Sequence, residues 1–465
     1  MNIDLHRRQF LQRGAALGTF GLAHCLPGIG MSAASAQALP GYRALVCVFL
    51  FGGNDGNNMV IPVGATEYAA TYGAIRPDTS GINIPLASLL PVTTRFGLHP
   101  ALVELQPLFT GGKLAILANT GPLVEPITDR NQYLQKTKQR PENLFSHSDQ
   151  QQQWMSSVSQ GDIRTGWGGR LSDRLSGANS PANTGVIVPM GLSFAGSQMF
   201  GNGVSTFPLA LPQSGSFGFS GTTTPSAAAY SARLTALNTI LTQDSAGPLA
   251  SAAAGSFAAA IGSSGTLNPI LTATTSSAIP AFAGLTSSIS KQLLQVAKVI
   301  EARAALGHAR DIFIVSEGGF DTHNGQLNTQ QTLLRDLSQA LNAFYNATVT
   351  LGVANSVTSF TLSDFGRTLK PATGSPPGSD HAWGNHHFIM GGAVNGNVVY
   401  GTFPTLALGA ASPDDATNEG RWIPTTSIEQ YGGALATWLG ASSADLDYIF
   451  PNRGRFAAPP AILGA

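Results

Sequence analysis

The sequence predicts an α/β protein. A mostly parallel sheet is flanked by helices on both faces, with a Ser/Ala/Gly-rich insertion near residues 213–286. Three observations lead there. The run Ala44–Phe51 is apolar without a break, as in strands buried on both faces. Amphipathic stretches of helical period alternate with such runs further along the chain. Segments rich in acid and imidazole fall where strands should end, the rim at which open α/β sheets place ligand groups.

The chain has 465 residues, enough for one large α/β domain with an insertion. Charged residues make up only 11% and the net charge is zero, which excludes the basic face of a nucleic-acid binder. Residues 1–38 read as a leader. Arg7-Arg8-Gln9-Phe10-Leu11 is a twin-arginine signal, and a moderately apolar stretch from Gly14 to Ile29 follows it. Gly14, Gly18, Gly21 and Pro27 make that stretch a poor helix. Cleavage sites stand at Ala34-Ser35-Ala36 and Ala36-Gln37-Ala38. The expectation is a protein handed folded to the twin-arginine export machinery, with a domain over 39–465 that works in the periplasm or outside the cell. No later apolar run reaches the ~20 residues of a membrane span. With Cys25 in the leader, Cys47 is left alone, a small core residue within its apolar run.

After the first strand, Gly52-Gly53-Asn54-Asp55-Gly56-Asn57-Asn58 forms a turn whose Asp55 either faces the crevice as a ligand or serves the turn itself. A helix is expected over Pro100–Leu108 and a strand over Lys113–Ala118. The polar stretch from Asp129 to Glu142 leads into Phe145-Ser146-His147-Ser148-Asp149, where Ser146 or Ser148 caps a helix running through Trp154. Ser146 is equally placed to be a nucleophile, because a helix N-terminus favours an alkoxide. A helix opens at Gly166-Trp167, and Thr184–Val188 reads as a strand. Beyond the insertion come a helix over Ser288–Leu306, a strand over Asp311–Ser316, a helix over Thr332–Leu351 and a strand over Ser356–Leu362. Short strands at Phe388–Ala393 and Val398–Tyr400 and a late helix at Ser427–Leu439 complete the pattern.

The chemistry gathers in three segments. Asp380-His381-Ala-Trp-Gly-Asn-His386-His387 holds three of the nine histidines within seven residues. Phe320-Asp321-Thr322-His323 and Ser363-Asp364-Phe365-Gly366-Arg367 follow predicted strands. Imidazole and carboxylate are the usual ligands of zinc, iron and manganese. Asp321 and His323, two apart, point the same way in extended backbone. The Pro/Gly-rich loop 370–380 can fold back to deliver Asp380 and His381. His386 and His387 are adjacent, so only one of them faces an ion from a strand. Asp55, Asp321, His323, Asp364, Asp380, His381, His386 and His387 are therefore the candidate ligands. The set suits a pair of divalent ions (zinc, manganese or calcium) about 4 Å apart. Arg367 either holds an anionic ester oxygen of a small substrate or lies on the surface.

These motifs carry a resemblance. The leader, Phe51-Gly-Gly-Asn-Asp55-Gly-Asn-Asn, Ser146-His147, Gly319-Phe-Asp321-Thr-His323, Ser363-Asp364-Phe-Gly-Arg367-Thr and Asp380-His381-Ala-Trp-Gly-Asn-His386-His387 stand in one order. So do Gly420-Arg-Trp-Ile-Pro-Thr-Thr and Ile449-Phe-Pro. In that order they resemble the exported domain-of-unknown-function 1501 family, which looks like a branch of the alkaline phosphatase and sulfatase superfamily. The resemblance implies an alkaline phosphatase-like fold with two metal sites. Asp55 and Asp364 would be at one ion; Asp321, His323 and His386 or His387 would be at the other. It also implies hydrolysis of a phosphate or sulfate ester, or else a non-catalytic binding or assembly protein that keeps the fold. Asp364-Phe365 stands where the superfamily often has Asp-His, and His381 is the candidate replacement. The Cys/Ser-x-Pro-x-Arg motif of formylglycine sulfatases is absent from the sequence.

Overall fold

The structure is a computed structural model that describes residues 41–218, 228–242 and 247–464. The expected leader, residues 1–38, lies outside the described residues, as do 219–227 and 243–246 of the expected insertion.

The strands among the described residues are β1 (Arg43–Leu50), β2 (Val60–Pro62), β3 (Leu90–Pro91), β4 (Phe96–Leu98), β5 (Leu114–Gly121) and β6 (Gly191–Ser193). They continue with β7 (Leu209–Ala210), β8 (Arg310–Glu317), β9 (Val357–Ser363), β10 (Asn385–Gly391), β11 (Val399–Tyr400) and β12 (Thr426–Ser427). The main sheet runs β11-β5-β10-β9-β1-β8-β6-β7, with β12 also on β5, and β2-β4-β3 form a small antiparallel sheet. In the main sheet only β10 opposes its neighbours; every other pairing is parallel.

β1 lies between β8 and β9 and is buried almost throughout, which is why its sequence is apolar at every position. Its side chains still alternate between faces. Ala44, Val46, Val48 and Leu50 pack with Leu293, Val296, Leu334, Leu337 and Phe344 of the helices Ser288–Glu301 and Gln326–Thr350. Leu45, Cys47 and Phe49 pack on the other face with Trp154, Trp167, Leu171, Tyr431 and Leu435. Both faces are covered, as the sequence predicts for a layered α/β protein. Cys47 is fully buried and unpaired.

Two expected elements move. Thr184–Val188 is not a strand: Gly185 turns the chain at φ 78°, the Ala182 amide bonds Val186 O, and Pro189 has no N–H for a ladder. The strand forms later, at β6. The helix expected from Pro100 begins only at Leu105. Within 213–286 the described residues form the helices Ala228–Thr242 and Pro248–Leu271. Among the described residues no helix is long and apolar enough to cross a membrane.

The reversal of β10 positions the site. β9 ends at Ser363, and β10 starts at Asn385 beside the same rim and runs back antiparallel. Residues 364–384 therefore stay on the carboxyl rim of the sheet, where the loops after β1 and β8 also emerge. Gly52 permits the meeting of those two loops. It sits at φ 111°, and a Cβ there would stand 2.3 Å from the Asp321 amide nitrogen.

Candidate metal centre

The loops converge on Asp321, four residues past the end of β8. Its Oδ1 is approached by three imidazole nitrogens: His323 Nε2 at 3.2 Å, His381 Nε2 at 3.3 Å and His147 Nε2 at 3.5 Å. The Nε2 atoms of His323 and His381 lie 2.8 Å apart. The ring of Phe365 packs against both His147 and His381, with centroids 4.8 and 4.5 Å away.

Each imidazole is fixed from its far side. His147 Nδ1 is 2.6 Å from Asp364 Oδ2, His323 Nδ1 is 3.0 Å from Asp380 Oδ1, and His381 Nδ1 is 2.8 Å from the Phe145 carbonyl oxygen. A carbonyl or carboxylate only accepts, so each Nδ1 carries the proton. In the neutral rings all three Nε2 atoms then present lone pairs to one another and to an anionic oxygen. Such an arrangement is repulsive until a cation, a proton or a metal ion, enters it. His147 Nε2 is buried and makes no hydrogen bond among the described residues. Carboxylate or carbonyl partners on the far nitrogen are how metal-ligating histidines are oriented. Zinc bonds of about 2.0–2.1 Å in a tetrahedron set ligand atoms about 3.3 Å apart, close to the spacing seen around Asp321. The donor chemistry fits a transition-metal ion.

The local sequence explains how each group is held. His147 begins the helix His147–Ser156, so its side chain stands at the rim. Phe145 has φ 73°, a left-handed conformation that costs a bulky residue on the order of 1–3 kcal/mol, and its carbonyl is the one that receives His381. Asp364 is fully buried and accepts from the Gly52 amide at 3.1 Å, from Gln151 Nε2 at 2.8 Å and from His147. Arg367, also fully buried, donates to the carbonyls of Gly53 (2.9 Å), Ser379 (2.7 Å) and Gly52, and to Asp321 Oδ1.

The charges respond to these contacts. Partial burial pushes the Asp321 carboxyl up, but the Arg367 hydrogen bond and charge outweigh it and hold the group below the usual carboxylate range. The hydrogen bond to Asp364 raises His147 against the opposing effect of burial. Burial lowers His381. The centre is open to solvent on one side: the Asp321 side chain is 49% exposed and that of His323 39%.

The structure thus brings Asp321, His323 and His381 together and places Asp364 and Asp380 directly behind them. It does not bring the other candidates there. Asp55 caps the short helix Gly56–Met59 and is paired with buried Arg76 (2.7 Å) and Gln326 (2.5 Å), so its acceptor oxygens are taken. His386 and His387 lie inside β10, because that strand starts one residue before them. His386 Nδ1 accepts from the Asn119 amide and its ring stacks on Phe403. His387 packs between Trp154 and Tyr431. Burial drives both rings down to about 3, so they are neutral core groups. The grouping of Asp55 with Asp364 at one ion and of His386 or His387 with Asp321 at another is therefore not what the geometry presents. Among the described residues, one group of donor atoms lies within mutual reach of a single ion: His147, Asp321 and His381. Ser146 precedes the helix as its N-cap, yet its hydroxyl donates to Asp149 (2.6 Å) and accepts from no helix amide. Arg367 is neither a surface residue nor free for a substrate, since carbonyls and Asp321 occupy its donors.

His147 is the member that sequence reasoning left without a role. Its partners Asp364 and Asp321 lie more than 170 positions away, and a His after Ser in a helix-capping run looks like part of the cap. The signal that existed was its polar, acid-flanked setting in a chain so poor in charge.

The family model described as "Protein of unknown function (DUF1501)" matches residues 42–417, well over half of the chain. No curated protein matches the chain. One solved structure, "Crystal structure of Ps i-CgsB in complex with k-i-k-neocarrahexaose", aligns over 90% of this chain and 77% of its own, at 8% identity and a TM-score of 0.32. That likeness is too slight to say anything of this chain's chemistry.

Proposed function

The chain belongs to the DUF1501 family, and from that premise we propose that it is an exported metal-dependent hydrolase of phosphate or sulfate esters. It would work with one divalent transition-metal ion at His147, Asp321 and His381, with His323 beside them against Asp321 and His381. The observation that carries the reading is the set of three imidazoles, each with its Nδ1 tied to an acceptor and its Nε2 aimed at one carboxylate oxygen. The solvent-open side of the centre supports catalysis over a purely structural ion, because structural sites are closed. Three imidazoles favour zinc over manganese and calcium, both of which prefer oxygen ligands.

Bound there, such an ion supplies a Lewis acid for an ester oxygen and acidifies water to near neutrality. The protein does the rest. Asp364, Asp380 and Phe145 O hold the rings in the tautomer that offers Nε2. Arg367 anchors Asp321 and offsets part of its charge. Phe365 gives the rings an apolar floor that keeps water from their rear faces.

A second reading is favoured by one observation: neither Ser146 nor Arg367 is free to act on a substrate. On that reading the chain is a non-catalytic exported binding protein whose ion is structural. Two measurements separate them. Protein purified without chelators carries about one equivalent of zinc or manganese; less than about half an equivalent sinks both metal readings. Hydrolysis of aryl phosphate, phosphodiester and sulfate esters with either ion supports the hydrolase, and failure on all of them leaves the binding protein.

A further inference from the structure

The charges around the centre select among the esters. Three carboxylates face or back the imidazoles: Asp321, Asp364 and Asp380. One guanidinium, Arg367, is paired with Asp321. The other arginine at the cluster, Arg421, donates to the His381 carbonyl at 2.6 Å, lies over the Phe145 ring and is paired with Glu419. Its charge is matched before any ligand arrives. Adding a divalent ion to three carboxylates and one arginine brings the sum to zero.

We propose that this centre takes esters carrying a single negative charge, sulfate monoesters and phosphodiesters, in preference to doubly charged phosphate monoesters. The inference rests on the hydrolase reading above. The carboxylates on the open side decide it: Asp321 and Asp380 are each about half exposed, so an incoming ester meets both. Each further negative charge on the ligand is repelled by them, and no arginine or lysine among the residues that touch the cluster has its charge unmatched. A phosphate monoester gains its second charge near pH 6, whereas a diester or sulfate ester cannot. The reaction itself is balanced by water alone. The P–O or S–O ester bond breaks, the phosphorus or sulfur takes the hydroxyl, and the leaving alcohol takes the proton.

The test uses full-length protein loaded with zinc or manganese at about pH 8.5, where phosphate monoesters are dianions. Expected is a kcat/KM for an aryl sulfate or a bis-aryl phosphodiester at least about tenfold above that for the matching aryl phosphate. Asp380→Asn keeps an acceptor oxygen for His323 Nδ1 and removes one charge from the rim. At saturating metal it should shift the ratio toward the phosphate monoester by about threefold or more. A readout that needs no turnover accompanies it. By calorimetry, Asp380→Asn should strengthen binding of dianionic phenylphosphonate more than of monoanionic benzenesulfonate, by the same factor. Hydrolysis that favours the phosphate monoester, or ratios unmoved by Asp380→Asn, overturns this inference alone. Absence of hydrolysis for every ester overturns it together with the hydrolase reading.

Discussion

Three histidines stand within seven residues, and the fold gives them opposite fates. His381 joins His147 and His323 at an open rim. His386 and His387, five and six residues later, are sealed inside a strand among aromatic rings. What separates the two groups is exposure and, for His386, also the partner of the inner nitrogen. In the rim group every Nδ1 meets an acceptor, which drives the proton there and leaves Nε2 as a donor to a cation. In the core pair, His386 Nδ1 instead accepts an amide, and burial forbids charge. Residue type and proximity along the chain say little about ligation; where the ring is held, and what its second nitrogen meets, say more.

The comparison breaks most directly at the rim. His147→Ala should lose stoichiometric zinc or manganese altogether, seen by elemental analysis after desalting, while the fold persists because the ring is only partly buried, at the rim and outside the sheet core. If metal content survives that change, the two groups are not chemically different. Next comes the core. His386→Ala removes a buried ring stacked on Phe403 and leaves the Asn119 amide unpaired; a loss of about 2–4 kcal/mol in denaturant unfolding is expected, with metal content unchanged.

Acid sharpens the contrast. His386 and His387 are held near 3, below the ordinary 6.5 of an unfolded chain. The unfolded state therefore binds more protons between those values. The stability of neutral burial is complete above about pH 6.5 and drains as pH falls toward 3, on the order of 1.4 kcal/mol per pH unit for each ring. Unfolding midpoints measured from pH 7 to 4 should drop steeply in the wild type and less steeply in His387→Phe. A flat profile would contradict the assignment of both rings to the neutral core.

Smaller effects follow. Asp364→Asn weakens the acceptor behind His147 and also those of the Gly52 amide and Gln151, and metal affinity should fall about 10–100-fold by competition with a chelating dye. Ser146→Ala touches a hydroxyl that serves Asp149, so stability should stay within about 0.5 kcal/mol and ester hydrolysis within about twofold. A thousandfold loss of hydrolysis would restore Ser146 as a nucleophile.

Much of the frame was legible in the sequence because burial writes itself locally. An unbroken apolar run such as Ala44–Phe51 has little choice but a doubly covered strand, and Leu334, Leu337, Leu341 and Phe344 mark a helix face by spacing alone. The site was half legible for the same reason. Asp321, His323, Asp364, Asp380 and His381 fall in loops at predicted strand ends, where a rim position can be inferred. Their division into ion-facing and supporting groups could not be inferred, because that depends on contacts such as His147 with Asp364 across 217 positions. His386 and His387 misled for a local reason. The strand begins at Asn385, three residues earlier than a loop-to-strand boundary at Phe388 would put it, and that extension draws both rings into the sheet.

The backward course of β10 has one more consequence. A parallel strand in that place would need its connection to travel to the far side of the molecule, by way of a crossover of a dozen or more residues. Because β10 instead starts where β9 stops, residues 364–384 form a cartridge anchored at both ends on one edge of the scaffold. The length of residues 370–378, between the motifs at either end, could change without any strand changing neighbours. Variation among relatives should therefore concentrate in that intervening stretch, while the sheet beneath it stays the same.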